Sequence, residues 1–201
     1  MSNGKRIYQQ SAAYILMLNM GLRTGELLGL LNSDIDLEHK TLTVRRGVKE
    51  IHNRNDAEET GGRSIKVDKP KSATSNHTIP LNQAAIEAVE DIYLRRESYF
   101  GEDTPLVCDH NGDFTKPVNL CKRYYKILKA AGIEHKELHS LRHTFATTLV
   151  NGVKQENGAI RSLTPKQVAD LLGHSTSQIT ELYYVKKDTS RLKGITKGFD
   201  M

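Results

Sequence analysis

The sequence predicts an α+β fold, mainly α-helical with a small antiparallel sheet, and three observations carry that reading. Apolar residues recur at helical spacing up to residue 31 and again beyond residue 82. Between these regions, β-branched residues gather in short alternating stretches bounded by polar and Gly-rich segments. A chain of 201 residues with 37% hydrophobic and 26% charged content can bury one substantial core and is not of disordered composition.

Each element follows from its own stretch. From Ser11 to Leu31, the residues Ala12, Ile15, Leu16, Leu18, Leu22, Leu27, Leu28 and Leu30 predict two helices broken near Gly21 to Thr24. Thr24, with Glu26 and Leu27 behind it, reads as a helix start. "TLTVRRGV" (Thr41 to Val48) predicts a strand; "RSIKVD" (Arg63 to Asp68) and "HTIPL" (His77 to Leu81) predict two more in the same small sheet. The polar segment between the first two, ending in Gly-Gly, reads as a long hairpin loop. From Asn82, a suitable N-cap, to Phe100 the pattern is helical again. Further helices are expected over Val118 to Ala131, Leu138 to Val150 and Pro165 to Leu172. Gly132 would close the first, and Thr164-Pro165 would open the last. No internal repeat and no low-complexity segment is present.

Composition narrows the function classes. No apolar run reaches the roughly 18 to 20 residues that cross a bilayer, and the start lacks a secretion signal, so no membrane partner is expected. Two cysteines, Cys108 and Cys121, are too few for a disulfide framework; expected in buried settings, they fit a reducing cytoplasm. A net charge of +5 and a pI near 9.1 suit a nucleic-acid partner without requiring one.

Four stretches hold residues suited to chemistry. "GLRTGELLGL" sets Arg23 at a helix junction with Glu26 three residues on. The pair is either a surface ion pair or a buried guanidinium held by Glu26 and facing an anion. "ELHSLRHTFATTLV" sets His139, Arg142 and His143 at spacings that share one side of a helix. His143 reads as a packing histidine, and His139 with Arg142 as donors for an oxyanion. His135 extends the row, but no carboxylate or cysteine completes a metal-ligand set, so no metal and no cofactor are expected. "LLGHS" puts His174 in a glycine turn, and "ITELYYVK" follows with Tyr183 and Tyr184.

In this order, Arg, then His-x-x-Arg, then Leu-Gly-His, then Tyr nine or ten residues later, the stretches resemble the tyrosine recombinase (phage integrase) family. "DID", "RHTFAT" and "LGHS" are written as that family writes them, and the likeness runs from about Tyr8 to Tyr184. The resemblance implies the fold of that family's catalytic domain. It also implies a reaction: a tyrosine oxygen attacks a DNA phosphate, leaving a 3′-phosphotyrosine and a free 5′-hydroxyl, and the step is later reversed by another strand. It assigns Arg23 and Arg142 to the nonbridging oxygens, and His139 and His174 to the phosphate or to proton transfer. A lysine on a strand-connecting loop would protonate the leaving oxygen. Lys69 and Lys71 both stand in that place; the Lys-Ser-x-x-Ser pattern before "IPL" favours Lys71, and His77 occupies a position where many relatives carry Arg. Relatives differ in whether the nucleophile follows the histidine by nine or ten residues. Tyr184 is preferred, with Tyr183 the alternative.

The resemblance further implies double-stranded DNA as the partner and a homotetramer on DNA, with a monomer allowed in its absence. The catalytic domain is expected over residues 1–185, with a tail over 186–201 exchanged between subunits. The N-terminal DNA-binding region usual in the family is expected to lie outside this piece. Competing readings are a type IB topoisomerase, a catalytically inactive DNA-binding module, or a metal-binding regulator using the histidine row. The mobile element served (phage, transposon or conjugative element) and the target sites are not encoded in these motifs.

Overall fold

The computed structural model describes residues 11–52, 63–68, 76–95 and 101–173. Helix α1 (Ser11–Met20) buries Ala12, Ala13, Tyr14, Leu16, Met17 and Met20, while Ile15 and Leu18 face outward. Gly21, at φ +64°, turns the chain into α2 (Thr24–Gly29). This short helix lies directly on a strand. A Cβ on Gly25 would sit 2.7 Å from the Val48 carbonyl oxygen, and one on Gly29 would sit 2.7 Å from that of Arg46. The two glycines, one turn apart, let helix and strand backbones meet without side chains between them.

A 3₁₀ turn (Asn32–Asp34) then leads into β1 (Ile35–Asp36), β2 (Thr41–Val44) and β3 (Gly47–His52). The single strand expected over Thr41 to Val48 is therefore two strands, and they belong to different sheets. The cause is Asp34, whose side chain is fully buried and accepts from both Arg45 (2.8 Å) and Arg46 (2.5 Å). Neighbouring residues of a regular strand point to opposite faces, so two consecutive arginines cannot share one carboxylate without breaking the pleat.

Strands β1, β2 and β5 (His77–Pro80) form an antiparallel sheet in that order, with Leu42 opposite Ile79 and Val44 opposite His77. Strand β3 pairs with β4 (Arg63–Asp68) in a separate antiparallel ribbon, as expected of a hairpin, from Gly47 opposite Asp68 to His52 opposite Arg63. The one small sheet of the sequence reading is thus divided.

Helix α3 (Gln83–Leu94) starts where expected, with Asn82 Oδ1 accepting from the Ala85 N–H at 2.9 Å, and Arg95 caps its end. Helix α4 (Pro117–Ala130) ends at Gly132, φ +67°, with the Ile133 N–H donating to the Leu128 carbonyl at 2.9 Å. Helix α5 (Ser140–Asn151) follows, then a small hairpin, β6 (Val153–Lys154) with β7 (Ile160–Arg161), that sequence reading missed. Its signal was Asn157-Gly158, with Gly158 at φ +81°; two-residue strands give no alternation to detect. Helix α6 (Pro165–Leu171) carries the expected Thr164 cap and first-turn proline.

The main core gathers α1, α2, the sheet, α3 and α4; a smaller cluster of Ala146, Val150, Val168 and Leu172 joins α5 to α6. Cys108 and Cys121 are only partly buried, less so than expected. Among the described residues no helix is long and apolar enough to cross a membrane.

Candidate active site

Of the residues expected to take part in the reaction, Arg23, His139 and Arg142 lie within the described structure, and they come together. Arg142, on the first turn of α5, is 2% exposed. Its guanidinium donates to the Gly21 carbonyl oxygen at 2.7 Å and to the Leu172 carbonyl oxygen at 2.8 Å. One side chain thus ties the bend between α1 and α2 to the end of α6, joining stretches 121 and 30 residues away. Gly21 is required at this bend, because a Cβ there would overlap the Phe145 ring and lie 2.7 Å from a Leu172 methyl.

Glu26 connects the two arginines. Its Oε1 lies 2.5 Å from Arg23 Nη1, its Oε2 accepts from the Arg23 backbone N–H at 2.8 Å, and its Oε2 is 3.5 Å from Arg142 Nη1. The buried guanidinium envisaged at Arg23 is instead at Arg142: the Arg23 side chain is 46% exposed, against 2% for Arg142. The reason is position. Arg23 precedes the first residue of α2 at the helix mouth, whereas Arg142 lies one turn into a helix packed against α1.

His139 immediately precedes α5 with helical backbone angles, and its exposed ring meets His143 edge-on at 4.9 Å. Partial desolvation holds its pKa below the ordinary histidine value. The positive fields of His143, Arg142 and Arg23 act in the same direction. That the charges of both arginines reach this ring places all three on one patch. His135 is apart from them, its ring 4.3 Å from that of Tyr125, so the histidine row divides. Among the described residues no three His, Cys, Asp or Glu side chains gather as a metal site.

Lys69, Lys71, His174, Tyr183 and Tyr184 lie outside the described residues. The residues that lead to His174 are described. Leu172 and Gly173, which lead directly to His174, are held against Arg142 and His77, and His77 opens β5, the strand that the lysine segment enters. Sequence reasoning missed Asp34 as the buried anchor of Arg45 and Arg46, although it had singled out "DID". An aspartate followed about ten residues on by adjacent arginines was the available signal.

Comparison with known proteins identifies the family of the chain. The family model described as the phage integrase family matches residues 2–191. A tyrosine recombinase XerC-like protein of Caldanaerobacter subterraneus subsp. tengcongensis is 33% identical over 189 residues, covering 88% of this chain and 45% of that protein. The tyrosine recombinase XerC of Chlorobaculum parvum is 30% identical over 199 residues, covering 94% of this chain and 48% of that protein. Among solved structures, a Tn1549 transposon integrase in complex with transposon right-end DNA superposes with a TM-score of 0.67 at 25% identity. That match covers 92% of this chain and 57% of the other. XerA recombinase shares the fold, with a TM-score of 0.60 at 20% identity over 98% of this chain and 61% of the other. The chain spans about half the length of the curated relatives it matches.

Proposed function

The chain belongs to the phage integrase family, and from that premise we propose that it is the catalytic part of a site-specific DNA recombinase acting in the integration and excision of a mobile element. The observation that carries this reading is the junction at Arg142, where residues from the "GLRTGELLGL", "HSLRHT" and "LLGH" stretches meet around one guanidinium. A merely basic helical domain has no need to bring these three stretches to one charge.

The chemistry assigns each group a task. As the Tyr184 hydroxyl gives up its proton to His174, its oxygen attacks the DNA phosphorus in line, the P–O5′ bond breaks, and Lys71 gives a proton to the departing 5′-oxygen. The bond energy is kept in the 3′-phosphotyrosine, so the scheme calls for neither a nucleotide cofactor nor a metal. Arg23, half exposed, meets a nonbridging oxygen directly. Arg142 adds its charge from behind Glu26 and holds the frame, and His139, kept neutral, donates a hydrogen bond to the same phosphate. Double-stranded DNA is the partner, a homotetramer on DNA the working assembly, and the cytoplasm the place of action.

Mass spectrometry of the peptide left on a nicked suicide duplex tests the scheme. A phosphotyrosine at Tyr184 is expected, and Tyr184→Phe should keep DNA binding while losing the adduct. An adduct at Tyr183 would move the nucleophile by one residue; the absence of any protein–DNA bond would refute the reading. Supercoil relaxation with no strand transfer would indicate a topoisomerase.

A further inference from the structure

The Leu172–Gly173 turn is held from two sides. Arg142 grips the Leu172 carbonyl oxygen at 2.8 Å on one side. On the other lies the imidazole of His77: a Cβ built on Gly173 would fall 2.6 Å from its Cε1, 2.8 Å from its Nδ1 and 3.2 Å from its Nε2. The ring is therefore laid against the bare Cα of Gly173, in space that only glycine leaves open. The turn itself is tight, with Gly173 at φ +63° and its N–H donating to the Asp170 carbonyl at 3.1 Å. His77 is not free to move away. Its backbone is the first rung of β5, opposite Val44, and Val44 is buried in the main core.

We propose that His77 is a positioning residue for the proposed strand-cleavage reaction: its ring packs against Gly173 and fixes the turn from which the chain runs on to His174. This rests on the recombinase reading and goes beyond it by assigning a task to a side chain outside the reacting set. Consecutive Cα atoms are about 3.8 Å apart, so the Cα of His174 is tied closely to that of Gly173. Removing the ring leaves a gap about one carbon contact deep, roughly 3.5 to 4 Å, into which the turn can settle. Misplacement of a reacting group by about 1 Å can cost on the order of 100-fold in rate. Arg142 alone does not prevent this, because it holds the carbonyl one residue earlier and leaves rotation about Gly173 open.

The test uses the full chain and a pool of nicked random-sequence duplexes, from which the covalently trapped members are recovered and resynthesised. Whether the unaltered protein traps any duplex decides the recombinase reading; the variants decide this inference. His77→Ala is expected to slow single-turnover adduct formation about 10- to 100-fold with duplex affinity held within about twofold. His77→Phe, which keeps a flat ring, is expected to restore most of the rate. A duplex with a 5′-bridging sulfur, whose thiolate leaves without a proton donor, is expected not to rescue His77→Ala. Gly173→Ala is expected to be less harmful in a His77→Ala background than alone, since the incoming methyl then has room. His77→Gln replaces alanine if the latter unfolds the chain. Four results would each overturn the proposal: an unchanged rate in His77→Ala, a phenylalanine variant as slow as alanine, rescue by sulfur (which would route the effect through the lysine loop), or simple additivity with Gly173→Ala.

Discussion

Replacing Arg142 should strongly destabilise this domain, and the size of that effect follows from its contacts. The side chain is 2% exposed and donates to two carbonyl oxygens on separate segments, with Glu26 3.5 Å away. Hydrogen bonds from a charged group are worth about 1.5 to 3 kcal/mol each, and the acceptors left behind would be buried without replacement. Arg142→Ala should therefore lose about 3 to 5 kcal/mol, in line with other broken buried ion pairs. Glu26 limits the damage because Arg23 still neutralises it. Against a typical total stability of about 5 to 15 kcal/mol, such a loss leaves the variant near its threshold. Arg23→Ala is the control. Its pair with Glu26 is half exposed on the arginine side, so solvent screening should hold the loss to about 1 kcal/mol or less. Urea melts followed by circular dichroism measure both. If Arg142→Ala loses less than about 1 kcal/mol, or no more than Arg23→Ala, the guanidinium is not the pin that joins the three segments.

Two further predictions concern pH and packing. His139 has a folded-state pKa below its ordinary value, so above about pH 6.5 it is neutral in both states and adds nothing to pH dependence. As pH falls through that value the unfolded chain takes up the proton first, and stability falls until the lower folded pKa is passed. Titration of the ring by NMR should show the depressed midpoint, and His139→Gln should flatten that part of the stability profile. A midpoint above that of free histidine would contradict the described setting. Gly25→Ala should cost about 1 to 3 kcal/mol in a urea melt by forcing α2 off β3, because the new methyl meets a backbone oxygen that cannot rotate away. A variant as stable as the parent would show that the helix and strand can separate without penalty.

The sequence was most informative where local chemistry decides structure. Asn82, Gly132 and Thr164-Pro165 each mark a helix end because a side-chain oxygen, a missing Cβ or a missing N–H acts within four residues. It was least informative where a distant partner decides. The break at Arg45-Arg46 depends on Asp34, buried eleven and twelve residues earlier, and an alternating β-branched run cannot reveal that its charged members will turn inward together. For the site, motif order identified Arg23, His139 and Arg142 as neighbours, but not which arginine would be buried. That distinction depends on α1 and α6 closing around α5, a long-range arrangement with no local signature.

The charge pattern also bears on where a phenol nucleophile can work. Tyr14 shows what burial does in this chain: its hydroxyl donates to the Leu120 carbonyl at 2.8 Å, and desolvation raises its pKa well above the ordinary phenol value, with Arg123 offsetting only part. A tyrosine in the core is thus made a poorer nucleophile. The Arg23, Glu26 and Arg142 cluster does the opposite, since two guanidinium charges share one carboxylate and one positive charge remains uncompensated. A phenol within about 6 Å of a unit positive charge, at an effective dielectric of about 20, is stabilised as phenolate by about 2.8 kcal/mol, or about two pKa units. That shift is available only at the open, cationic side of the cluster, where Arg23 is half exposed and His139 already feels both arginines. A bound phosphate would consume the same field, so tyrosine activation and phosphate binding compete for it. In the proposed reaction that competition favours a second guanidinium beside Arg23, the place that Arg142 takes across Glu26.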